Sequence, residues 1–180
     1  MHERRYTAEV GRLRSPQRIE LMEVERVADL ATEGMQIVNV LDIGTGSGIF
    51  AETFAKRGYF ITGIDPNPEM LKAAQQFVPN GTFQEGIVEK ITLKDKTFDL
   101  VFLGHILHES DNIMSALSES KRCAKKRVAV LEWPYKQDEN GPPIEHRLKT
   151  EDILSAVSIV GFSQMETIQL NHMVLFRLTI

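Results

Sequence analysis

The residues whose types and spacing best suit chemistry lie between Asp42 and Gly48, where the sequence reads Asp-Ile-Gly-Thr-Gly-Ser-Gly. Glycines at every second position allow a ligand to lie directly against the backbone of a turn. The fingerprint of dinucleotide sites is G-x-G-x-x-G, with a pyrophosphate at the N-terminus of the following helix. The spacing here is shorter, and the carboxylate of Asp42 would repel a pyrophosphate. An acid at this place instead suits a ligand that carries positive charge.

A second acid, Asp65, ends the next predicted strand about 20 residues after Gly44. An acid at that place accepts hydrogen bonds from both hydroxyls of a ribose, which supports an adenosine but does not choose the cofactor. The alternative is a turn residue before Pro66 that accepts hydrogen bonds from nearby backbone. Both roles remain open at this point.

Side chains that move protons or hold anions follow the fourth and fifth predicted strands. Two histidines lie in Gly104-His105-Ile106-Leu107-His108, and His146-Arg147 lies in a long loop from 134 to 149. Histidine has the right pKa for a general base, but each histidine also suits a structural hydrogen bond to a backbone carbonyl. Arg147 suits an anionic acceptor, unless it only pairs with a surface acid such as Glu151. We predict that this loop is a lid over the acceptor; the alternative is that it only covers the sheet edge.

Two stretches resemble a known family. Val40–Gly48 resembles the first motif of the class I S-adenosylmethionine (SAM)-dependent methyltransferases, typically (V/L)LD(I/V)GxGxG. SAM fits the acidic site because it carries an amino group and a sulfonium and has no phosphate. Gly104–Glu109 resembles the N-A-x-L-H-H segment of ubiquinone- and menaquinone-type methyltransferases.

The resemblance covers about residues 37 to 180 and extends to the site. Together with the residue types, it implies a SAM site formed by Asp42, Gly44, Thr45, Gly46, Gly48, Asp65, Pro66, Ile87, Gly104 and His105. The candidate catalytic residues are His105, His108, His146 and Arg147, and no metal site is expected. Ile87 is a departure, since related small methyltransferases carry there an aspartate that meets the adenine amino group. We expect Ile87 to contact the adenine face and a backbone carbonyl to replace the carboxylate.

The elements that position these residues alternate between strand and helix. Strands are predicted at about 37–41, 59–65, 82–84, 98–104, 127–133, 164–169 and 173–179. A helix from Ser15 to Gly34 precedes them, and helices at about 49–57, 68–78, 112–124 and 150–160 separate them. This pattern predicts an α/β fold with a mostly parallel sheet, helices on both faces and an antiparallel C-terminal strand. The resemblance implies a single Rossmann-like domain whose seven strands lie in the order 3-2-1-4-5-7-6. Residues 1–34 would form an N-terminal arm and helix, and 37–180 the SAM-binding core.

Composition limits the partners. The chain has 180 residues, a net charge of −4 and one cysteine, Cys123, which excludes an internal disulfide and a multi-thiolate metal site. The acidic charge and the lack of a D/N-P-P-F/Y/W motif after the fourth strand make a nucleic-acid partner unexpected. The sequence has no signal-peptide or membrane-span pattern, so we expect a cytoplasmic protein of unknown oligomeric state. The basic segment 1–14 is expected to be irregular, either a solvated arm or a flap over the ligand site.

The sequence therefore predicts transfer of a methyl group from SAM to an O, N or C nucleophile, with a small metabolite as the acceptor. Two alternatives come from other classes. One is a nicotinamide-dependent oxidoreductase, which the glycine spacing and Asp42 disfavour. The other is a SAM-binding regulatory module without catalysis, which fits the same residues.

Overall fold

The computed structural model describes residues 10–180 and contains a seven-stranded sheet. The strands are β1 (Asn39–Ile43), β2 (Phe60–Asp65), β3 (Thr82–Glu85), β4 (Phe98–Gly104), β5 (Ala124–Glu132), β6 (Gln164–Gln169) and β7 (Val174–Thr179). They lie in the order β3-β2-β1-β4-β5-β7-β6, which confirms the order that the resemblance implied. Strands β1 to β5 pair in parallel, and β7 is antiparallel to β5 and β6.

The helices are α1 (Val10–Leu13), α2 (Pro16–Leu21), α3 (Val24–Thr32), α4 (Ile49–Lys56), α5 (Pro68–Phe77), α6 (Ile113–Cys123) and α7 (Thr150–Val160). Short 3₁₀ turns at Leu107–Glu109 and Ile144–His146 lie in the connections. Ser15 and Asn67 accept hydrogen bonds at the starts of α2 and α5. Helix α7 begins at Thr150, and its cap position is Lys149.

The long N-terminal helix predicted from Ser15 to Gly34 is wrong, because the chain breaks between α2 and α3. Glu23 adopts a left-handed backbone with φ of 48°, which a helix does not allow. Its carboxylate accepts hydrogen bonds from Arg26 of α3 and from the backbone amide of Asn171, so the break is tied to the β6–β7 turn as well as to the helix. The apolar residues keep their spacing across the break, which is why periodicity did not reveal it. Residues 10–13 are also helical rather than irregular, and residues 1–9 of the expected arm lie outside the described residues.

Both faces of the sheet are buried. Helices α3 and α4 cover one face, where the rings of Phe54 and Phe102 are 5.3 Å apart. Helices α6 and α7 cover the other, with Leu117 and Ile153 fully buried. Each such side chain contributes about 1.5–3 kcal/mol on burial. The carboxyl ends of the central strands are therefore fixed by packing on two sides, and the loops that follow them carry the site. Within residues 10–180, each helix is too short or too polar to cross a lipid bilayer.

Candidate functional site

The glycine loop folds back over the end of β2. The backbone amides of Gly44 and Thr45 donate to the carbonyl oxygen of Ile64, at 2.8 and 3.0 Å. Gly44 has a φ of +66°, and a Cβ there would lie 2.8 Å from the side chain of Ile106. Gly44 therefore forms one wall of a narrow gap, and Ile106 forms the other.

Gly48 has a packing role that the sequence did not predict, and its predicted contact with SAM stays a prediction. A Cβ on Gly48 would lie 2.9 Å from the backbone of Ala74 in α5. This glycine allows α4 and α5 to approach closely, so it shapes the site through helix packing. Gly104 is similar, because a Cβ there would meet the rings of Phe102 and Phe50 at 2.9 and 3.3 Å.

Asp42 is held in an unusual state for a carboxyl group. It is only 2% exposed, and the hydroxyl of Thr45 donates to its Oδ2 at 2.7 Å. The pKa of Asp42 is raised from 3.8 to about 7, mainly by burial and also by the negative charge of Asp65, against the lowering effect of the Thr45 hydrogen bond. A nearby ligand cation would favour the ionised form, so the site suits an ammonium or sulfonium.

Asp65 braces the loop from the end of β2. Its Oδ2 accepts from the amide of Gly46 at 2.9 Å, and its Oδ1 accepts from the amide of Asn67 at 2.8 Å. Asp65 therefore accepts backbone hydrogen bonds in the turn before Pro66, the role that was the alternative to ribose binding. A carboxylate accepts about four hydrogen bonds, so this geometry is also compatible with ribose hydroxyls as further donors.

A cleft of about 40 Å³ runs from the glycine loop to the segment after β3. It is lined by Ile43, Gly44, Pro66, Gly86, Ile87, Val88, Glu89, Ile106, Glu109 and Ser110. Two of these residues are acidic and none is basic, which fits a cationic ligand and not a pyrophosphate. Ile87 is 38% exposed at the cleft, where its side chain can face a flat base. Ligand pockets usually enclose about 300–1,000 Å³, so this cleft is too small for a nucleoside unless its walls, such as the turn at Ile106, move apart.

His105 is strained and buried. Its φ is 60°, a left-handed value that a histidine rarely adopts, and its amide donates to the carbonyl of Leu131 at 2.9 Å. Among residues 10–180, neither ring nitrogen has a hydrogen-bond partner. The ring centroid lies 5.1 Å from that of Trp133. Burial lowers the pKa of His105 to about 3 despite the charge of Glu132, so the imidazole is neutral.

His108 forms a buried pair with Glu132, the last residue of β5. Its Nδ1 lies 2.8 Å from Oε2 of Glu132, and its backbone amide donates to Oε1 at 3.1 Å. Burial alone would lower the pKa of His108, but the charge and hydrogen bond of Glu132 outweigh it and raise the pKa. Sequence reasoning did not include Glu132 in the site. An acid at the carboxyl end of a central strand was the available signal.

Arg147 lies inside the loop that follows β5. Its guanidinium donates to the carbonyls of Pro134 at 3.1 Å, Lys136 at 3.0 Å, Asn140 at 2.5 Å and Pro142 at 2.8 Å. These bonds direct it to the loop's own backbone, and its role in binding an anionic acceptor stays a prediction. The pairing considered with Glu151 is not its contact, because Lys149 is the cation next to that acid. His146 is exposed on the 3₁₀ turn.

The N-terminal segment reaches the glycine loop through Arg14. The guanidinium donates to the carbonyl of Ser47 at 2.8 Å, forms an ion pair with Glu52 and lies over the ring of Phe77. This contact joins the loop to both flanking helices. The sequence showed only a basic arm here and did not single out Arg14.

Comparison with known proteins identifies the family. The profile of the "Methyltransferase domain" family matches residues 41–131, about half of the chain. The chain belongs to this methyltransferase domain family. The match runs from the middle of β1 to Leu131, one residue before the end of β5, and contains the glycine loop, Asp65 and both buried histidines. The sequence-based assignment to the class I methyltransferases is confirmed.

Solved structures share the fold of this methyltransferase domain. A SAM-dependent methyltransferase from Aquifex aeolicus superposes with a TM-score of 0.82 at 24% identity, over 95% of this chain and 96% of that one. A magnesium protoporphyrin IX methyltransferase from Synechocystis PCC 6803 with bound SAM gives 0.71 at 18% identity, over 97% and 86%. Sequence similarity is more local. A demethylmenaquinone methyltransferase from Chlorobaculum parvum is 35% identical over 94 residues, which cover 52% of this chain and 39% of that protein. The chain thus matches about two fifths of the length of this relative.

Proposed function

We propose that this protein is an enzyme that binds SAM at the carboxyl ends of β1, β2 and β4 and transfers its methyl group to a small molecule. The observation that carries the proposal is the acidic, glycine-lined cleft. The buried carboxyl of Asp42 lies beside Gly44, and Asp65 is fixed against Gly46. These groups match a ligand with two cationic centres and a ribose, and the part of the cleft lining supplied by residues 10–180 contains no basic residue for a phosphate.

Different residues would bind different parts of SAM. Asp65 would accept from the ribose hydroxyls, Ile87 would face the adenine, and Asp42 would balance the positive charge of the methionine part. SAM supplies an already activated methyl group, so the protein mainly has to align the acceptor behind it. Alignment depends on rigid walls, and the central strands beneath this site are buried on both faces.

The acceptor would bind on the β4–β5 side, near His105 and Trp133 and beneath the loop 134–149. The indole of Trp133 gives an aromatic surface there, and the neighbouring ring of His105 is neutral. A small uncharged metabolite fits such walls better than a polyanion. The family relatives include a demethylmenaquinone methyltransferase, whose name also specifies a small-molecule acceptor. We place the enzyme in the cytoplasm, on the sequence pattern.

Titration calorimetry tests the proposal directly. The purified protein should bind SAM and its demethylated product, S-adenosylhomocysteine, and should bind NAD only weakly. Asp65→Asn should weaken SAM binding, while Asp29→Asn, on the outer surface of α3, should not. NAD binding without SAM binding would instead support the oxidoreductase alternative. Tritiated SAM incubated with metabolite pools then identifies the acceptor, and SAM binding without transfer to any pool would favour the regulatory module.

A further inference from the structure

The buried pair of His108 and Glu132 is more elaborate than a helix-capping contact requires. Glu132 is 2% exposed and accepts three hydrogen bonds, from Nδ1 of His108, from its backbone amide and, at 3.3 Å, from the amide of Trp133. An ionised carboxylate without partners is very unfavourable at such a place. The three donors hold the carboxylate charged and fixed, so it also fixes the ring of His108.

This contact determines which nitrogen of the ring can act as a base. A carboxylate accepts only, so Nδ1 of His108 carries the proton that points to Glu132. When the ring is neutral, the lone pair is on Nε2. That atom lies 4.0 Å from Oε1 of Glu109, and Glu109 lines the cleft beside Gly44 and Ile106. His108 itself is buried, so its basic nitrogen lies directly behind a residue of the cleft wall.

We propose that His108 is the general base for the methyl acceptor, that Glu132 is its positioning residue, and that the acceptor is a weakly acidic hydroxyl such as a phenol or an enol. This inference rests on the proposed function. The acceptor oxygen forms a bond to the methyl carbon, the methyl–sulfur bond breaks with its electron pair going to sulfur, and the hydroxyl proton goes to Nε2 of His108. The products are a methyl ether, neutral S-adenosylhomocysteine and a protonated imidazole whose charge Glu132 stabilises.

A hydroxyl fits better than other acceptors for two reasons. The adjacent walls, Trp133 and His105, are aromatic and neutral, which suits a planar uncharged ring. A hydroxyl must also lose its proton during attack, so a fixed base gains most for this class. The charged groups around His108 are Glu132 from β5, Glu109 on its own turn and Arg147 from the loop, and His105 lies nearby. The two acids favour the protonated ring, and Arg147 opposes them.

The state of His108 can be measured without any acceptor. Histidine-labelled protein is titrated by ¹⁵N NMR in the wild type, in Glu132→Gln and in His172→Gln, which removes an exposed histidine from the β6–β7 turn. We expect the neutral ring of His108 to carry its proton on Nδ1, with a pKa above that of a free histidine. Glu132→Gln should lower this pKa, and His172→Gln should not. A neutral ring protonated on Nε2 would overturn the proposal.

Activity is then assayed with two probes, 4-methylphenol and 4-nitrophenol, using tritiated SAM at about pH 8. His108→Gln should reduce turnover of 4-methylphenol by at least about 100-fold, the usual effect of a general base. It should reduce turnover of 4-nitrophenol far less, because that phenol is already largely ionised. S-adenosylhomocysteine affinity and the activity of His172→Gln should be unchanged. In the wild type, kcat/KM for 4-methylphenol should rise with pH through the NMR pKa of His108, because only the neutral ring accepts a proton.

Several results would overturn the inference. If His108→Gln reduces turnover of both phenols equally, the role of His108 is structural. If kcat/KM of the wild type does not rise with pH through the NMR pKa of His108, His108 is not the base, and this test does not depend on any variant folding. Binding of S-adenosylhomocysteine without methylation of either phenol would refute the acceptor class and leave the proposed function standing. A failure to bind S-adenosylhomocysteine would refute the proposed function itself.

Discussion

Replacing Asp42 by Asn should stabilise the ligand-free protein, and increasingly so as the pH rises. The buried carboxyl has a pKa of about 7 in the folded state and about 3.9 when unfolded. Between these values the folded chain keeps a proton that the unfolded chain has released, so unfolding free energy falls as pH rises. The fall is about 1.4 kcal/mol per pH unit. Asparagine has no such penalty, and its side-chain oxygen still accepts from Thr45.

Urea unfolding at pH 5, 6, 7 and 8 measures this effect. The free energy of unfolding of Asp42→Asn minus that of the wild type should grow by about 2 kcal/mol from pH 5 to 7 and change little above pH 8. Other titrating groups, including His105 and His108, are present in both proteins and cancel in the difference. Asp152→Asn, at an exposed position in α7, should show a difference that does not change with pH. If the difference in unfolding free energy between Asp42→Asn and the wild type does not change with pH, the pKa of Asp42 is not raised. The idea that a cationic ligand draws this carboxyl into its charged form would then be refuted.

Three further results are expected. Asp65→Ala should weaken SAM binding roughly tenfold to hundredfold, because hydrogen bonds to a charged group contribute about 1.5–3 kcal/mol each and water restores part of this. If calorimetry gives an unchanged affinity and circular dichroism shows an intact fold, Asp65 only stabilises the turn. Arg14→Ala should raise hydrogen exchange in the loop 44–48 and weaken SAM binding a few-fold, about 1 kcal/mol for one partly buried charged contact. Unchanged exchange would show that Arg14 does not support the glycine loop. Arg147→Lys should speed hydrogen exchange across 134–149, since lysine lacks the planar fork that reaches four carbonyls, and it should leave S-adenosylhomocysteine affinity nearly unchanged. Hydrogen exchange equal to that of the wild type would show that the guanidinium does not stabilise this loop.

The part of the site around the glycine loop could be predicted from sequence because its residues act on groups close to them in the chain. Asp42 and the glycines act through backbone conformation and charge close to them in the chain, so their spacing alone restricted the ligand. Asp65 also followed from its place at a strand end, because parallel strands bring their carboxyl ends to one edge. The strand order came from the resemblance, and the structure confirms it.

The rest of the site depends on contacts between residues distant in sequence. Glu132 and His108 are 24 residues apart, and only the parallel pairing of β4 with β5 brings them together. Arg147 was predicted to bind an anionic acceptor because its planar fork suits a carboxylate or a phosphate. In the structure its donors meet carbonyls of its own loop, which have no regular strand or helix to satisfy them. Binding of an anionic acceptor by Arg147 stays a prediction. No sequence pattern distinguishes these two uses of an arginine.

The Arg147 contacts also determine how the acceptor side can open. One guanidinium joins carbonyls from Pro134 to Pro142, so this part of the loop is held together and should move as a unit. Trp133 lies at the start of that segment, with Gly141 packed against one side of its indole and His105 near its ring. Movement of the loop would therefore draw Trp133 away from His105 and admit an acceptor to both buried histidines. Residues 134–149 should exchange more slowly when S-adenosylhomocysteine is bound, because a filled cleft supports the closed loop. If hydrogen exchange in this segment is the same with and without the ligand, the loop only covers the sheet edge. An acceptor would then have to reach the histidines past the turn at Ile106.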